Sequence, residues 1–367
     1  MPEAQWLEQR RLLSTSVLQY HNDLVSDGVN STEYQLTPST VNASQFQKQF
    51  TTPVDGQVYA QPLYVPGVDI TTGNQQGVHD VVYVATENDS LYAIDSNGGN
   101  VLWMTSFLDT NNSSVNLIGA STIEPVSGGA AVDTRTNDLT PDVGITSTPV
   151  IDAGNGVIYL VAKSKQIVGS DTGDPHFVQT LFEVDISSGT IVNSTLIGNT
   201  IYDGSNYTYS LSDPYVVGTG AGSITVNGQH RIYFNGLREF NREALILYNG
   251  QVYIGFASHG DNGPYHGWLL RYDASTLALT GALNTTPNGS EGGIWMAGGA
   301  PVVDDQGNIY LMTGNGTFDG EPLQDGSGNT IGTTDLDANG FPINGDYGDC
   351  YLKITDDPTS TEGDQEG

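Results

Sequence analysis

Only one cysteine, Cys350, occurs in 367 residues. An intrachain disulfide and any metal centre built on several thiolates are thereby excluded. Cysteine scarcity fits an extracellular bacterial protein that keeps stray thiols off its surface. Basic residues are also few, 11 Lys and Arg against 42 Asp and Glu, for a formal charge of −31. Such a surface repels phosphate, so neither nucleic acid nor an anionic membrane is expected as a partner. The excess acid leaves carboxylates for divalent cations, although a solvated surface is the plainer reading. No apolar run approaches the roughly 18 residues of a membrane span. The start of the chain lacks the apolar stretch of a signal peptide, since Arg10-Arg11 is followed only by Leu12-Leu13 before Ser14 and Thr15. Helical periodicity of useful length is missing too.

What is plentiful is glycine, at 46, and tyrosine, at 19. Glycine punctuates and tyrosine packs on a pleated surface, so short strands joined by turns are expected. Four segments share one grammar. The first strand is a short apolar run: Pro62-Leu63-Tyr64-Val65, Pro149-Val150-Ile151, Ala244-Leu245-Ile246-Leu247 and Pro301-Val302-Val303. A second strand is centred on a tyrosine, Tyr83, Tyr159, Tyr253 or Tyr310. A third ends on Asp95, Asp185 or Asp273, with Thr355 in the last copy. A Gly- or Ser-containing turn then leads to a fourth, as in Gly99 to Trp103 and Gly189 to Val192. Repeated four-stranded antiparallel units read as the blades of an all-β propeller, each burying its faces against its neighbours.

Ala93-Ile94-Asp95-Ser96-Asn97-Gly98-Gly99-Asn100-Val101-Leu102-Trp103 resembles the A-x-D-x-x-x-G-x-x-x-W blade signature of pyrroloquinoline-quinone-type propellers. The second copy keeps Asp185 and Gly189 but has Asn193 where Trp belongs. Together with Ser258 to Trp268, Asn288 to Trp295 and Thr313 to Phe318, the chain resembles an uncharacterised bacterial branch of quinoprotein-like propellers from about Tyr20 to Thr355. Residues 7–14, Leu-Glu-Gln-Arg-Arg-Leu-Leu-Ser, are similar to the LEPR-XLL motif of large bacterial surface proteins, with Gln9 in place of Pro; a short exposed helix is the alternative. The expected division is residues 1–45 as that motif with a polar lead-in, 46–355 as blades, and 356–367 as an acidic disordered tail.

The fourth repeat lacks a fourth strand, and Phe50 to Val54 offers an unpaired one ahead of blade one. Either four blades close a ring or the chain is a piece of a larger one. The resemblance implies longer relatives, so an incomplete larger ring is expected. Quinone enzymes of this superfamily often carry an adjacent cysteine pair and a calcium held by Glu, Asn and Asp, and no such set is assignable here. Pyrroloquinoline quinone is therefore not expected in this chain alone.

Turns between first and second strands are tight, whereas the segments between second and third strands and between blades are long. In a propeller those long connections open on one face, which is where a site is expected. Its richest stretch is Ser258 to Trp268, with His259, Asp261, Asn262, Tyr265 and His266. His259, Asp261, Tyr265 and His266 are candidates for acid–base or metal chemistry, or else cap turns and bridge blades. Asn262, Glu291, Trp295, Lys163 and Arg242 are candidates for lining the same face. Lys163, Lys165, Arg231, Arg238 and Arg242 could receive an anionic ligand or pair with carboxylates.

Asp335-Leu336-Asp337-Ala338-Asn339-Gly340 matches the first half of a calcium loop. Phe341 would lend its carbonyl, and Asp346 stands at the last ligand position where Glu is usual. Calcium and an ordinary polar turn are both open. Three functions compete. One is a secreted or surface-displayed module binding other domains of a larger protein, or a carbohydrate or small molecule. The others are a quinone-dependent oxidoreductase and a hydrolase or lyase using His259, Asp261 and His266.

Overall fold

The computed structural model describes residues 15–30, 36–44, 46–170, 174–320, 322–324, 327, 330–333, 336–338 and 341–355. Blade one is Leu63–Ile70, Gly77–Thr86, Ser90–Asp95 and Val101–Ser106, antiparallel and in sequence order. Blade two is Val150–Asp152, Val157–Val168, His176–Asp185 and Ile191–Tyr202. Blade three is Ile246–Tyr248, Gln251–Ser258, Trp268–Asp273 and Leu279–Asn284. Blade four has three strands among the described residues, Val302–Val303, Asn308–Met312 and Tyr351–Thr355.

The Asp that ends each third strand is a turn former. Asp95 Oδ1 accepts from the amide of Asn97, Asp185 Oδ1 from those of Ser187 and Ser188, and Asp273 Oδ1 from those of Ser275 and Thr276. The residue four places on then takes a left-handed conformation, at φ +72° for Gly99, +71° for Gly189 and +54° for Leu277. Side-chain capping plus a left-handed residue closes the turn to the fourth strand.

Blades stack through apolar cores. Leu91, Ala93 and Trp103 of blade one share a cluster with Ile158, Leu160 and Phe182 of blade two. Val157, Tyr159 and Leu181 of blade two share another with Val252, Ile254 and Leu270 of blade three, and Tyr253 and Leu269 join Ile309 and Leu311 of blade four in a third. The repeated tyrosine adds a directional bond: Tyr83 donates to Ile186 O and Tyr159 to Ala274 O, both at 2.9 Å. Trp103 Nε1 reaches the same Ile186 carbonyl at 3.2 Å. Each acceptor follows the turn-forming Asp of the next blade, so one residue position fixes both the turn and the docking of its neighbour.

Two regions differ from the sequence reading. The segment from Lys163 to Gln179, read as a long loop, is largely strand, because Ala120–Ser127 pairs with the far half of blade two's second strand from Ala120↔Val168 to Pro125↔Ser164. Part of the N-terminal lead-in is docked. Val17 forms an antiparallel bridge with Tyr64, while Leu18 O accepts from the Ile151 amide at 2.7 Å and Leu24 O from the Val303 amide at 2.9 Å. This stretch thus crosses the first strands of blades one, two and four, and lines a groove of about 520 Å³ on the face of the tight turns. Residues 7–14 and 356–367 lie outside the described residues.

Candidate functional site

The long-loop face is built from the connections 107–149, 203–245 and 259–267. Its centre is a chain of three ionisable groups, of which Lys163 and His259 are buried and Asp138 reaches solvent. His259 Nδ1 lies 3.1 Å from Asp138 Oδ2, and its Nε2 lies 3.0 Å from Lys163 Nζ. With an ammonium on one side and a carboxylate on the other, the ring donates from Nδ1 to Asp138 and accepts at Nε2 from Lys163. Lys163 also donates to the carbonyls of Leu237 at 2.9 Å and Glu239 at 2.8 Å, which occupies all three of its protons. Burial, aided by the Lys163 charge, pushes His259 down to about 4. Burial and the nearby Arg238 charge lower Lys163 to about 7. The imidazole is therefore neutral at physiological pH and the lysine is a clamp holding the chain ahead of blade three.

The other candidates have separate partners. Asp261 accepts from the Tyr265 hydroxyl at 2.7 Å, within one loop. His266 is buried and bonds Thr286 Oγ1 at 2.9 Å and Ala221 O at 2.8 Å, tying two loops together. Asn262 Nδ2 donates to the carbonyls of Thr134, Arg135 and His259. Glu291 bridges by backbone to His266 and accepts from Asn315 Nδ2 at 3.0 Å. Trp295 is partly buried against the apolar cluster that includes Phe177, Leu237 and Phe240. Arg242 reaches the carbonyl of Ala297 at 3.4 Å. Lys165 pairs with Asp133 at 3.3 Å and Glu124 at 3.7 Å. His259 and His266 thus sit on one face but bond to different groups.

In the calcium-like loop, Asp335 and Asn339 lie outside the described residues. Asp337 Oδ1 accepts from the Phe341 amide at 2.9 Å and Asp346 Oδ1 from the Asn288 amide at 2.9 Å. The Asp337 bond closes a local turn, whereas the Asp346 bond ties this loop to the one ahead of blade four. Burial pushes Asp346 up to about 6. Among the described residues no cluster of three or more His, Cys, Asp or Glu is placed to hold a metal ion.

Two features were not read from the sequence. Buried acids surround the face: burial raises Glu87 to about 7 and lifts Asp89, Glu239 and Glu243 well above the carboxylate range. Glu87 lines a cavity of about 290 Å³ with Asp55, Asn88 and Asp142. The second feature is a tyrosine stack in the connection after blade two. Centroid separations are 4.8 Å for Tyr202–Tyr207, 6.5 Å for Tyr207–Tyr209, 5.8 Å for Tyr209–Tyr233 and 5.3 Å for Tyr233–Tyr215. Arg231 lies 4.1 Å over Tyr215, Arg135 lies 5.2 Å over Tyr202 and donates to its hydroxyl, and buried Arg238 donates to the Tyr207 hydroxyl at 2.7 Å. The density of Tyr between 202 and 233 was the available signal.

Sequential antiparallel blades with cross-blade tyrosine bonds define an all-β propeller. No protein-family model matches the chain, and no curated protein does. Among solved structures it is similar to the quinohemoprotein alcohol dehydrogenase of Comamonas testosteroni, at 14% identity and a TM-score of 0.44 over 92% of this chain and 41% of that one. The quinohemoprotein alcohol dehydrogenase ADHIIG of Pseudomonas putida HK5 aligns at 12% identity and a TM-score of 0.33, over 71% of this chain and 35% of that one. BamB of Moraxella catarrhalis aligns at 9% and 0.23, over 70% of this chain and 65% of that one. The chain spans less than half the length of either dehydrogenase.

Proposed function

We propose that this chain is a secreted or surface-displayed bacterial propeller module that binds through its long-loop face. The observation that carries the reading is the stack of Tyr202, Tyr207, Tyr209, Tyr233 and Tyr215 flanked by Arg135 and Arg231. Tyrosine offers large, stiff, amphipathic contact area, and arginine beside it adds donors, the composition that recurs in recognition surfaces. Tyr215 is exposed at 39%, Tyr202, Tyr207 and Tyr209 are half-buried and Tyr233 is buried, so Tyr215 is the ring most open to solvent. A carbohydrate or small polar ligand, or another domain of a larger surface protein, suits such a strip. Cysteine scarcity, acidity and the LEPR-XLL-like start support a place outside the cell.

The quinone-dependent alternative has less support from the residues present. Pyrroloquinoline quinone carries carboxylates that need accessible cations and a ring that needs an open aromatic face. Lys163 is buried with its three protons taken by two carbonyls and His259, Arg238 is buried with Nε on the Tyr207 hydroxyl and Nη1 on the Thr134 carbonyl, and Trp295 lies against Gly293 and Gly314. Placed so, Lys163, Arg238 and Trp295 give that group little support. A calcium ion at residues 335–346 would have Asp rather than Glu at its last ligand position, Asp346, whose shorter arm reaches less well, so weak binding is the expectation.

The test is calorimetry of the full chain against a panel of polysaccharides and sugars, with dye reduction and hydrolysis followed in parallel. The expected outcome is a bound ligand whose affinity falls about tenfold in Tyr215→Ala, with no turnover. Turnover lost in His259→Ala and retained in Tyr215→Ala would overturn the reading in favour of an enzyme.

A further inference from the structure

The two ends of the blade stack are complementary. At the far end, Asn308–Met312 buries Ile309 and Leu311 against blade three but leaves Tyr310 37% and Met312 40% exposed. Beside them Tyr351 is 87% exposed. The equivalent strands of blades two and three are buried on both faces. Tyr310 holds the position of Tyr83 and Tyr159: it pairs with Val302 and Lys353, as Tyr83 pairs with Leu63 and Ala93, and Tyr159 with Val150 and Glu183. Those two tyrosines bond a neighbouring blade, whereas Tyr310 bonds Asp304 Oδ2 of its own turn at 2.8 Å.

At the near end, blade one carries the matching acceptor. Ser96 is the equivalent of Ile186 and Ala274, each following the turn-forming Asp. Each places its amide on the carbonyl three residues before its blade's tyrosine, Asp80 for Ser96, Gly156 for Ile186 and Gly250 for Ala274. Residues 50–52 reproduce an outer strand there. Thr52 Oγ1 donates to Gly99 O at 2.7 Å, as Thr105 Oγ1 of blade one donates to Gly189 O of blade two at 2.5 Å. The Phe50 ring abuts Gly99 just as the Trp103 ring abuts Gly189. Phe50 and Thr52 therefore stand where the fourth strand of a preceding blade stands, and blade four has three strands among the described residues. Within the chain, no core cluster of described residues contains both blade one and blade four.

We propose that two copies of this chain assemble head to tail, blade four of each seated on blade one of the other, with residues 50–54 of each copy forming the outer strand of its partner's blade four. The blade-to-blade contact already made three times within the chain then recurs twice between copies, and a twofold axis closes the ring. Tyr310 moves its hydroxyl to Ser96 O of the other copy. The pairing follows that of blade one, where Leu91 faces Thr105 and Ala93 faces Trp103. By that register Tyr351 of one copy faces Thr52 of the other, and Lys353 faces Phe50. Both open strand edges are covered, which soluble proteins require.

Light scattering on the full chain at tens of micromolar tests this. The expected mass is that of two 39.0 kDa chains, falling to one in the double variant Met312→Asp, Tyr351→Asp. Both substituted side chains are exposed in the single chain, so circular dichroism should stay at the wild-type value and the thermal midpoint should match that of wild type diluted until it dissociates. In a Cys350→Ser background, a Thr52→Cys copy mixed with a Tyr351→Cys copy should form a disulfide-linked dimer under mild oxidation, because directly opposed antiparallel residues lie within disulfide reach. A wild-type mass of one chain overturns the proposal. So does a dimer that survives the double variant, or one in which Thr52→Cys and Tyr351→Cys fail to cross-link.

Discussion

At the scale of single residues, buried acid without a paired cation is the dominant feature. Glu87 is 1% exposed and accepts from the Gly144 amide at 2.8 Å and Thr146 Oγ1 at 2.9 Å. Burial raises it from 4.5 to about 7 despite those bonds. Because the folded value lies above the unfolded one, the folded state holds its proton more tightly. That contribution to stability is complete below about pH 4.5 and is lost as pH rises through about 7. Glu87→Gln keeps an acceptor for both donors and removes the charge. It should therefore stabilise the fold at pH 8 by about 1–3 kcal/mol and change little at pH 4. Urea midpoints at the two pH values check this, and an effect independent of pH would sink it. The sequence placed His259 in the loop after blade three's second strand, but its partners were out of reach of inspection. Asp138 lies 121 residues away and Lys163 lies 96 away, so only the folded blades bring them together.

At the scale of elements, strand identity was legible because each blade repeats the same apolar run, tyrosine and Asp at fixed offsets. Strand length was not, because pairing between Ala120–Ser127 and the second strand of blade two is a contact between connections that no local pattern announces. The turn glycines separate two effects that sequence merges. Gly189 and Gly156 share a left-handed backbone, at φ +71° and +69°. A Cβ at Gly189 would stand 2.6 Å from the Trp103 ring, while one at Gly156 would meet nothing within 4 Å. Gly156→Ala should lose only the conformational part, about 1 kcal/mol. Gly189→Ala should lose that and disturb the Trp103 bond to Ile186, for about 2–4 kcal/mol. Denaturant unfolding of the two variants compares them directly. Equal losses would show that Trp103 does not hold blades one and two together.

At the scale of the whole molecule, the order of blades was legible because it rests on repeat counting, whereas Phe50 to Val54, expected as a spare strand, is not in a strand. The docked stretch from Val17 to Leu24 was not legible, because its contacts are backbone bonds to the first strands and carry no residue signature. Charge acts at this scale as well. Of 11 basic side chains Lys163 and Arg238 are buried, and of 42 acidic ones Glu87, Asp89, Asp213, Glu239, Glu243, Asp319 and Asp346 are buried too, which still leaves a large acidic excess. Net self-repulsion of this kind destabilises a compact state, and salt screens it. Raising NaCl from about 10 mM to about 300 mM shortens the screening length from roughly 30 Å to below 10 Å, less than the separation of most surface charges on neighbouring blades. The thermal midpoint should therefore rise by several degrees, and the rise should be steepest below about 100 mM, where screening changes most. An uncharged osmolyte at matched osmolality should not reproduce that curve. A midpoint that is flat or falls across this range would mean that local pairs such as Lys165 with Asp133 outweigh the net charge, since screening weakens attraction and repulsion alike.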